Sequence, residues 1–404
     1  MIKKVAQLSI VLVFVFSGFI ETSFAQDKEN EKKESNDYVF TIKKQLPVTS
    51  VKDQYRSGTC WSYSTLSFIE AELLRTGKGE YDLSEMFVVR QTYIEKAIKY
   101  VRMHGKLNFG GGGAFHDVLH VIEKYGIVPE SVFDGNQIGE QGPVHGEMDI
   151  VLQNYLDGVI KNKNRKLTTV WQKGFEGILN AYLGEFPEKF EFNGKEYTPL
   201  SFAKELNIKY DDYVEITSYS HHPYYEPFII EIPDNWEFGE VYNLPLEEMM
   251  EVIDYSIENG YTVAWGGDVS EDGFSWKKGL AIVPEKEKDD LDGLEKAKWS
   301  KLSKKERDKM IFGSDVKEKN ITPEIRQIAF DNYKTTDDHG IHIVGIANDQ
   351  NGKKFYYIKN SWNKIQHKYD GYFYASESYV KYKTMDFMVN KNAIPKKLRK
   401  RLGL

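Results

Sequence analysis

Residues 50–64, with the sequence SVKDQYRSGTCWSYS, contain Cys60, the only cysteine in this chain of 404 residues. After this cysteine, apolar residues recur at the spacing of one helix face, which predicts a helix over residues 60–75. Thr59 is the expected N-cap, and Gly77 is the expected stop signal. Cys60 would then lie in the first turn, where the positive end of the helix dipole favours a thiolate.

Composition limits the classes of protein to which this chain can belong. A hydrophobic fraction of 41% is typical of a globular protein, and the length is sufficient for a large buried core. The net charge of -7 provides no general attraction to nucleic acid, so no nucleic-acid partner is expected. Since one cysteine cannot form an internal disulfide, stability has to come from the core, and the thiol becomes a candidate for chemistry.

The first 25 residues have the pattern of a secretory signal peptide. Two lysines precede an apolar stretch, AQLSIVLVFVFSGFI, and small residues follow before the expected cleavage site. The apolar stretch is short for a membrane span, and no second span is evident. Residues 26–37 are almost wholly polar and are expected to form a disordered linker. The sequence therefore predicts a protein that is exported to the periplasm or secreted, with residues 38–404 as its folded domain and no membrane span after cleavage.

The order of the predicted elements indicates an α+β fold. Helices are expected over residues 114–125 and 246–258, and a strand follows in YTVAWGGDV. Three later segments, IHIVGIA, KFYYIKN and DGYFYAS, are rich in β-branched and aromatic residues and predict strands. Helices early and strands late are typical of α+β proteins, and residues from about 131 to 330 are interpreted as a large insertion.

The lone thiol would act as a nucleophile if a base stood beside it. Two of the nine histidines, His339 and His342, lie three positions apart on a predicted strand, so at most one of them faces Cys60. Asn360, on the following strand, is a candidate to orient that histidine by accepting a hydrogen bond. The side-chain amide of Gln54, in the loop before the helix, is placed to stabilise an oxyanion together with a backbone N–H.

These segments resemble the motifs of papain-family cysteine peptidases. SVKDQYRSGTCWSYS is similar to the segment around the family's catalytic cysteine, DDHGIHIVGIAND to its histidine segment, and YYIKNSWN to its asparagine segment. The resemblance implies a catalytic triad of Cys60, His339 and Asn360, with Gln54 as an oxyanion donor, and it makes His342 a structural residue.

The same resemblance implies supporting roles for four residues. The backbones of Gly112 and Gly113 would pair with the substrate chain. Trp362 would shield the His339–Asn360 hydrogen bond from water, and Asp338 would favour the cationic form of the histidine. This chemistry needs no metal and no cofactor.

A narrower resemblance is to bleomycin hydrolase and aminopeptidase C. Ser57 stands where the papain branch has a disulfide-forming cysteine, and YTPLSFAKEL and VIEKYGIVPESVF are similar to segments of the narrower branch. This resemblance implies a two-lobed papain-like fold, in which one lobe is helical and the other is β-barrel-like. It also implies peptide substrates, aminopeptidase activity on short peptides and a possible homo-oligomer.

The end of the chain leaves two alternatives open. In the resembling branch, a C-terminal arm lies in the cleft and its carboxylate receives the substrate amine, whereas the tail IPKKLRKRLGL is short. An endopeptidase of the same fold is therefore one alternative, and a catalytically silent peptide-binding protein is the other. Whether Leu404 reaches Cys60 is a question for the structure.

Two further features are given ordinary interpretations. His221 and His222 are adjacent, but they lack carboxylates or cysteines at ligand spacing in the sequence, so a loop is favoured over a metal site. The basic residues of the tail are interpreted as a solvated helix end.

Overall fold

The computed structural model describes residues 37–164, 166–365 and 367–404. The predicted signal peptide lies outside these residues, as does the predicted linker except for Asp37. Among the described residues, no helix is both long enough and apolar enough to cross a membrane.

In the described part of the chain, six helices build a helical lobe around one hydrophobic core. They are α1 (Cys60–Arg75), α2 (Glu85–Arg102), α3 (Phe115–Tyr125), α4 (Gly146–Ile160), α5 (Val170–Leu183) and α6 (Pro199–Leu206). Their apolar faces bury Leu66, Phe68, Val88, Val118 and Leu152 in this core. Removal of these side chains from water is the main force that holds the lobe together.

A large mixed sheet forms the second lobe. The strands of the described residues, in chain order, are β1 (Thr41–Gln45), β2 (Phe190–Phe192), β3 (Lys195–Tyr197), β4 (Tyr213–Thr217), β5 (Pro227–Ile229), β6 (Glu240–Asn243), β7 (Val263–Gly267), β8 (Phe274–Ser275), β9 (Leu280–Ala281), β10 (His339–Asn348), β11 (Lys354–Lys359), β12 (Tyr372–Ser376) and β13 (Thr384–Asn390). The sheet order is β5-β6-β4-β13-β7-β10-β11-β12-β9-β8, with β1 also paired to β10, while β2 and β3 form a separate hairpin.

Six more helices lie in the part of the chain after β6, as far as the structure describes it. They are α7 (Leu246–Glu258), α8 (Gly293–Lys301), α9 (Lys304–Phe312), α10 (Pro323–Asp331), α11 (Glu377–Lys383) and α12 (Lys396–Arg401). The charged segment that contains α8 and α9 is mostly exposed, but Trp299 and Ile311 anchor it to a small core beside β9.

Strand β10 separates the two large cores because its side chains alternate between the faces of the sheet. Gly340 and His342 face α1, where His342 Nδ1 lies 2.9 Å from Ser67 Oγ. Ile341 and Ile343 point the other way, into the core that α7 covers. The predicted α+β fold with a helical lobe and a sheet lobe is confirmed. The elements of residues 131–330 contribute to both lobes, since α4 to α6 join the helical core and β4 to β7 join the sheet.

The helix that begins at Cys60 has the predicted bounds, but its predicted cap is wrong in one respect. Thr59 occupies the N-cap position, yet its hydroxyl makes no capping hydrogen bond. The hydroxyl instead pairs with Ser57 Oγ, and Ser57 Oγ also donates to the Gln54 carbonyl at 2.8 Å. The polar groups before α1 therefore order the loop that carries Gln54, rather than closing the end of the helix.

The last residues of the chain pack on the face of the sheet opposite α1. Leu398 and Leu402 are buried in the core that α7 covers. Arg401 lies over the Tyr225 ring and 3.7 Å from Glu248, and the Leu404 N–H donates to the Arg399 carbonyl at 3.0 Å. These contacts turn the tail back onto its own core.

Candidate active site

The N-terminus of α1 places Cys60 where the two lobes meet. The thiol accepts a hydrogen bond from the backbone of Gly340, the residue after His339. A Cβ added to Gly340 would lie 2.7 Å from Ser64 Oγ and 3.2 Å from the Cα of Trp61, so a side chain there would require the Ser64 hydroxyl and the start of α1 to shift. The glycine at this position therefore permits the contact between the cysteine and the histidine strand.

His339 stands at the start of β10 and is bonded to Asn360. Its Nε2 lies 2.7 Å from Asn360 Oδ1, and this oxygen also accepts the Ser361 N–H at 2.8 Å. Because an atom that accepts a backbone N–H must be the amide oxygen, His339 Nε2 has to donate to it. In the neutral ring, Nδ1 is then left without a proton and can accept one.

Trp362 and Asp338 flank this histidine in different ways. The ring of Trp362 stacks on the His339 ring, with centroids 4.6 Å apart, and so covers one face of the imidazole. The Asp338 carboxylate accepts hydrogen bonds from the Ser270 N–H and the Thr336 hydroxyl, both at 3.0 Å. Its negative charge nevertheless acts to raise the pKa of His339.

Gln54 is joined to the same network through Ser361. The Gln54 N–H donates to the Ser361 carbonyl at 2.8 Å, and the Ser361 hydroxyl donates to Gln54 Oε1 at 2.6 Å. The oxygen of the amide is thereby fixed, and within the described residues no acceptor is bonded to its Nε2. This N–H₂ group is available to a ligand in the cleft.

Burial acts against the ionisation of either reactive group alone. It lowers the pKa of His339 to about 4, although the hydrogen bond to Asn360 and the charge of Asp338 act to raise it. Burial raises the pKa of the Cys60 thiol to about 12, the Gly340 hydrogen bond acts to lower it, and the charges of Asp337 and Asp234 raise it further. The charge of Asp338 acts in the direction that favours a cationic His339, but its effect is smaller than that of burial.

The profile of the Peptidase C1-like family matches residues 13–309, which include Gln54 and Cys60 and end before His339. The chain belongs to this family. It is a papain-like cysteine peptidase of the branch that contains bleomycin hydrolase and aminopeptidase C.

Relatives of this peptidase cover most of its length. Aminopeptidase G of Lactobacillus delbrueckii subsp. lactis is 24% identical over 87% of this chain and 83% of its own. Bleomycin hydrolase of Gallus gallus is 23% identical over 86% of this chain and 81% of its own. The crystal structure of PepW from Lactobacillus rhamnosis HN001 superposes with a TM-score of 0.68 at 20% identity, covering 90% of this chain and 84% of that one, and thus shares its fold.

The predicted substrate glycines of the peptidase lie in a run that packs against α1. Trp61 Nε1 donates to the Gly111 carbonyl at 2.8 Å, and a Cβ on Gly113 would lie 2.8 Å from the Trp61 ring. The buried ammonium of Lys96 donates to the Gly112 carbonyl. These contacts fix the run beside the residue that follows Cys60.

A carboxylate that the sequence did not indicate lies on this glycine run. A Cβ on Gly112 would lie 2.0 Å from Asp234 Oδ2, so the carboxylate is in direct contact with the glycine. Asn108 Nδ2 donates to Asp234 Oδ1 at 2.9 Å and holds it there. Trp236, two residues further along the chain, is anchored by its Nε1, which donates to Asp117 Oδ2 at 2.7 Å.

Asp337 is a second carboxylate near the thiol. Burial, followed by the charges of Asp234 and Asp338, raises its pKa to about 8. Its side chain makes no hydrogen bond to any of the described residues. The cleft of the peptidase thus contains two neighbouring carboxylates, Asp234 and Asp337, whose charges both act on Cys60.

A large cavity among the described residues lies outside the predicted triad. It has a volume of about 870 Å³ and is lined by residues that include Phe274, Lys277, Trp299, Arg307 and Tyr369. Phe274 connects it to the site, since its ring centroid is 6.0 Å from that of Trp362.

Proposed function

We propose that this peptidase is an aminopeptidase in which Cys60 is the nucleophile and His339 the base. Asn360 orients the imidazole, and Gln54 Nε2 binds the oxyanion together with the backbone N–H of Cys60. The chain of hydrogen bonds from Gln54 through Ser361 and Asn360 to His339 supports these roles, because it aligns an oxyanion donor and a base beside one thiol.

The proposed reaction begins with transfer of the thiol proton to His339 Nδ1. Either charge alone is disfavoured by burial, but the two charges form side by side and each offsets the cost of desolvating the other. The Cys60 sulfur then attacks the peptide carbonyl carbon, and a tetrahedral oxyanion forms. When the C–N bond breaks, His339 gives its proton to the leaving amine, and water later cleaves the thioester with His339 as the base.

The observation that carries the aminopeptidase proposal is the pair of carboxylates, Asp234 and Asp337. A substrate with a free N-terminus brings an ammonium group into the cleft, whereas the interior of a longer chain brings a neutral amide. Asp234 lies on Gly112, where the substrate backbone is predicted to approach, so the ammonium would meet it close to the scissile bond. A neutral amide brings no such charge, so among the described residues the repulsion between Asp234 and Asp337 would be offset only by the Lys96 ammonium, which acts on Asp234.

The position of the tail supports assigning amine recognition to these carboxylates. Residues up to Leu404 pack on the face of the sheet opposite α1. The carboxylate that receives the amine is therefore proposed to come from side chains of the cleft and not from this tail.

Substitutions that remove the negative charge of each carboxylate test this assignment. Asp234→Asn and Asp337→Asn should raise KM for a substrate with a free α-amine and should leave cleavage of its N-acetylated form unchanged. Glu240→Gln, at the exposed first position of β6, is a control that removes a carboxylate elsewhere. If both cleft variants cleave the free and acetylated substrates as the parent does, the carboxylates do not recognise the amine.

Catalysis itself is tested by the thiol. Alkylation of Cys60 with iodoacetamide should abolish peptide cleavage, and Cys60→Ala should be inactive. A parent protein that binds peptides but cleaves none, with Cys60 unmodified at neutral pH, would identify a silent binding protein instead.

Export is also part of the proposal and rests on the pattern of residues 1–25. Fractionation of producing cells should find a mature protein outside the cytoplasm, and N-terminal sequencing should place its start near residue 26. Full-length protein in the cytoplasm would contradict export. Assembly into a homo-oligomer is proposed from the resemblance alone, and light scattering of the purified protein would measure it.

A further inference from the structure

Two histidines and a glutamate converge on the surface beside β5. His221 Nε2 lies 3.1 Å from Glu231 Oε2, and His222 Nε2 lies 3.1 Å from Glu231 Oε1. One ligand atom from each of the three residues can be chosen so that all lie within 4.8 Å of one another. In a tetrahedral zinc site with bonds near 2.0–2.1 Å, neighbouring ligand atoms are about 3.3 Å apart, so the cluster needs little movement to enclose an ion.

The tautomer of His221 is set by a buried amide. Gln327 Oε1 accepts the Ser220 N–H at 2.7 Å, which identifies this atom as the oxygen of the side chain. His221 Nδ1 lies 3.2 Å from the same oxygen and must therefore donate to it. On the other side of the amide, Gln327 Nε2 donates to Asp331 Oδ1 at 2.9 Å, which holds the group in this orientation.

With Nδ1 protonated, the other nitrogen of a neutral His221 ring carries a lone pair that faces a carboxylate oxygen. Two acceptors at 3.1 Å repel each other unless a proton or a metal ion lies between them. A histidine whose second nitrogen donates to an amide or carbonyl oxygen is the usual arrangement of a metal ligand, because that hydrogen bond orients the ring.

The remaining contacts hold the ligands in place. The His222 ring stacks on Phe228, with centroids 4.2 Å apart, and the His221 ring stacks on Phe330 at 5.7 Å. Asn243 is fully buried, and its Nδ2 donates to the His222 carbonyl at 2.9 Å. The turn that carries both histidines is thus fixed by groups that are themselves in the core.

We propose that His221, His222 and Glu231 bind one divalent transition-metal ion of the zinc class. Two imidazoles and one carboxylate form a set that such ions prefer, and a water molecule completes four-coordination. The sequence favoured a loop because Glu231 lies nine residues after His222 and across strand β5, and only the fold brings the carboxylate to the histidines.

The ion would have a structural role, since it links three segments of the chain. The histidines lie between β4 and β5, the amide that orients His221 belongs to α10, and Glu231 lies three residues before Asp234. Binding of the ion would fasten the segment that carries the cleft carboxylate Asp234. The metal site itself does not depend on the proposed peptidase function.

The test is zinc binding by the full chain with Cys60→Ser, because a thiolate is itself a zinc ligand. Equilibrium dialysis against ZnCl₂ should give one ion per chain, and the melting temperature should rise with zinc and return with EDTA, since the ion binds the folded state. His222→Ala and Glu231→Gln, in the same background, should each weaken zinc binding at least tenfold. Co²⁺ should give the strong visible absorption of a four-coordinate site in the parent and not in these two variants.

His120→Ala is the matched control. His120 Nδ1 lies 3.0 Å from Glu237, so this variant removes another partly exposed histidine–glutamate pair. It should bind zinc as the parent does. Thermal melting in EDTA shows whether each variant is folded. If His222→Ala does not fold, the test rests on Glu231→Gln, which keeps the shape of the side chain. A parent that binds no zinc, or variants of His222 and Glu231 that bind it with the affinity of the parent, would overturn the proposal.

Discussion

His339 Nε2 lies 2.7 Å from Asn360 Oδ1, and this amide oxygen also accepts the Ser361 N–H. The relationship sets the tautomer of the imidazole and leaves Nδ1 to serve as the base. Asn360→Ala should therefore lower kcat by about 10²-fold, within the range of general acid–base catalysis, with a small change in KM. Steady-state kinetics on a short peptide amide would measure this.

Asn363→Ala is the control for the asparagine prediction. Asn363 is exposed, and its Oδ1 accepts the Ile365 N–H at 2.8 Å in a local turn. It lies three residues after Asn360 but outside the network, so its removal should change kcat by less than about threefold, as expected for a surface substitution. Equal losses of kcat in both variants would indicate that the intact segment, and not the hydrogen bond to His339, is required for activity.

Gln54 is expected to act on the transition state. Gln54→Ala removes the proposed oxyanion donor and should lower kcat by about 10²–10³-fold, with little effect on KM. Ser361→Ala frees Gln54 Oε1 and should give a smaller loss in the same parameter, because it acts through the orientation of the amide. A large rise in KM at unchanged kcat would assign Gln54 to ground-state binding.

The pKa of Asp337 predicts a cost to stability. Burial raises it to about 8 in the folded protein, above the value of about 3.9 in an unfolded chain. The folded state then binds more protons, so this group makes unfolding easier as the pH rises from 4 towards 8. Asp337→Asn should raise the melting temperature at pH 7.5 and should have little effect at pH 4. Calorimetry at pH 4 and pH 7.5 would measure both melting temperatures. A variant less stable than the parent at pH 7.5 would contradict the raised pKa of Asp337.

The same ionisation predicts a pH dependence of substrate binding. As the pH rises towards 8, Asp337 gains a negative charge and attracts the substrate ammonium more strongly. Between pH 6 and pH 7.5, where an α-amine of pKa about 7.7–8.0 is still mostly protonated, KM for a free-amine substrate should fall several-fold. The KM of Asp337→Asn should vary less over this range. A parent whose KM rises with pH would contradict the prediction.

The sequence predicts the elements with strong periodicity and fails where tertiary contacts decide. The bounds of α1 and the three late strands follow from apolar patterns, and the resemblance distinguished His339 from His342. Asp234 carried no local signal, because its hydrogen-bond donor Asn108 is 126 positions away. Glu231 also carried no local signal, because only the fold brings it to His221 and His222. Thr59 has the residue type of a cap, but its hydroxyl pairs with Ser57 instead.

The central claim is that Cys60 cleaves peptides that present a free N-terminus. The most direct test compares kcat/KM for one short peptide amide with its N-acetylated form, using the wild-type protein and Cys60→Ala. Loss of a charge pair worth about 2–5 kcal/mol corresponds to a fall of at least about 30-fold in kcat/KM. The acetylated peptide should therefore be cleaved with a kcat/KM lower by at least this factor. Cys60→Ala should cleave neither form. Equal kcat/KM for the two forms would contradict the aminopeptidase account.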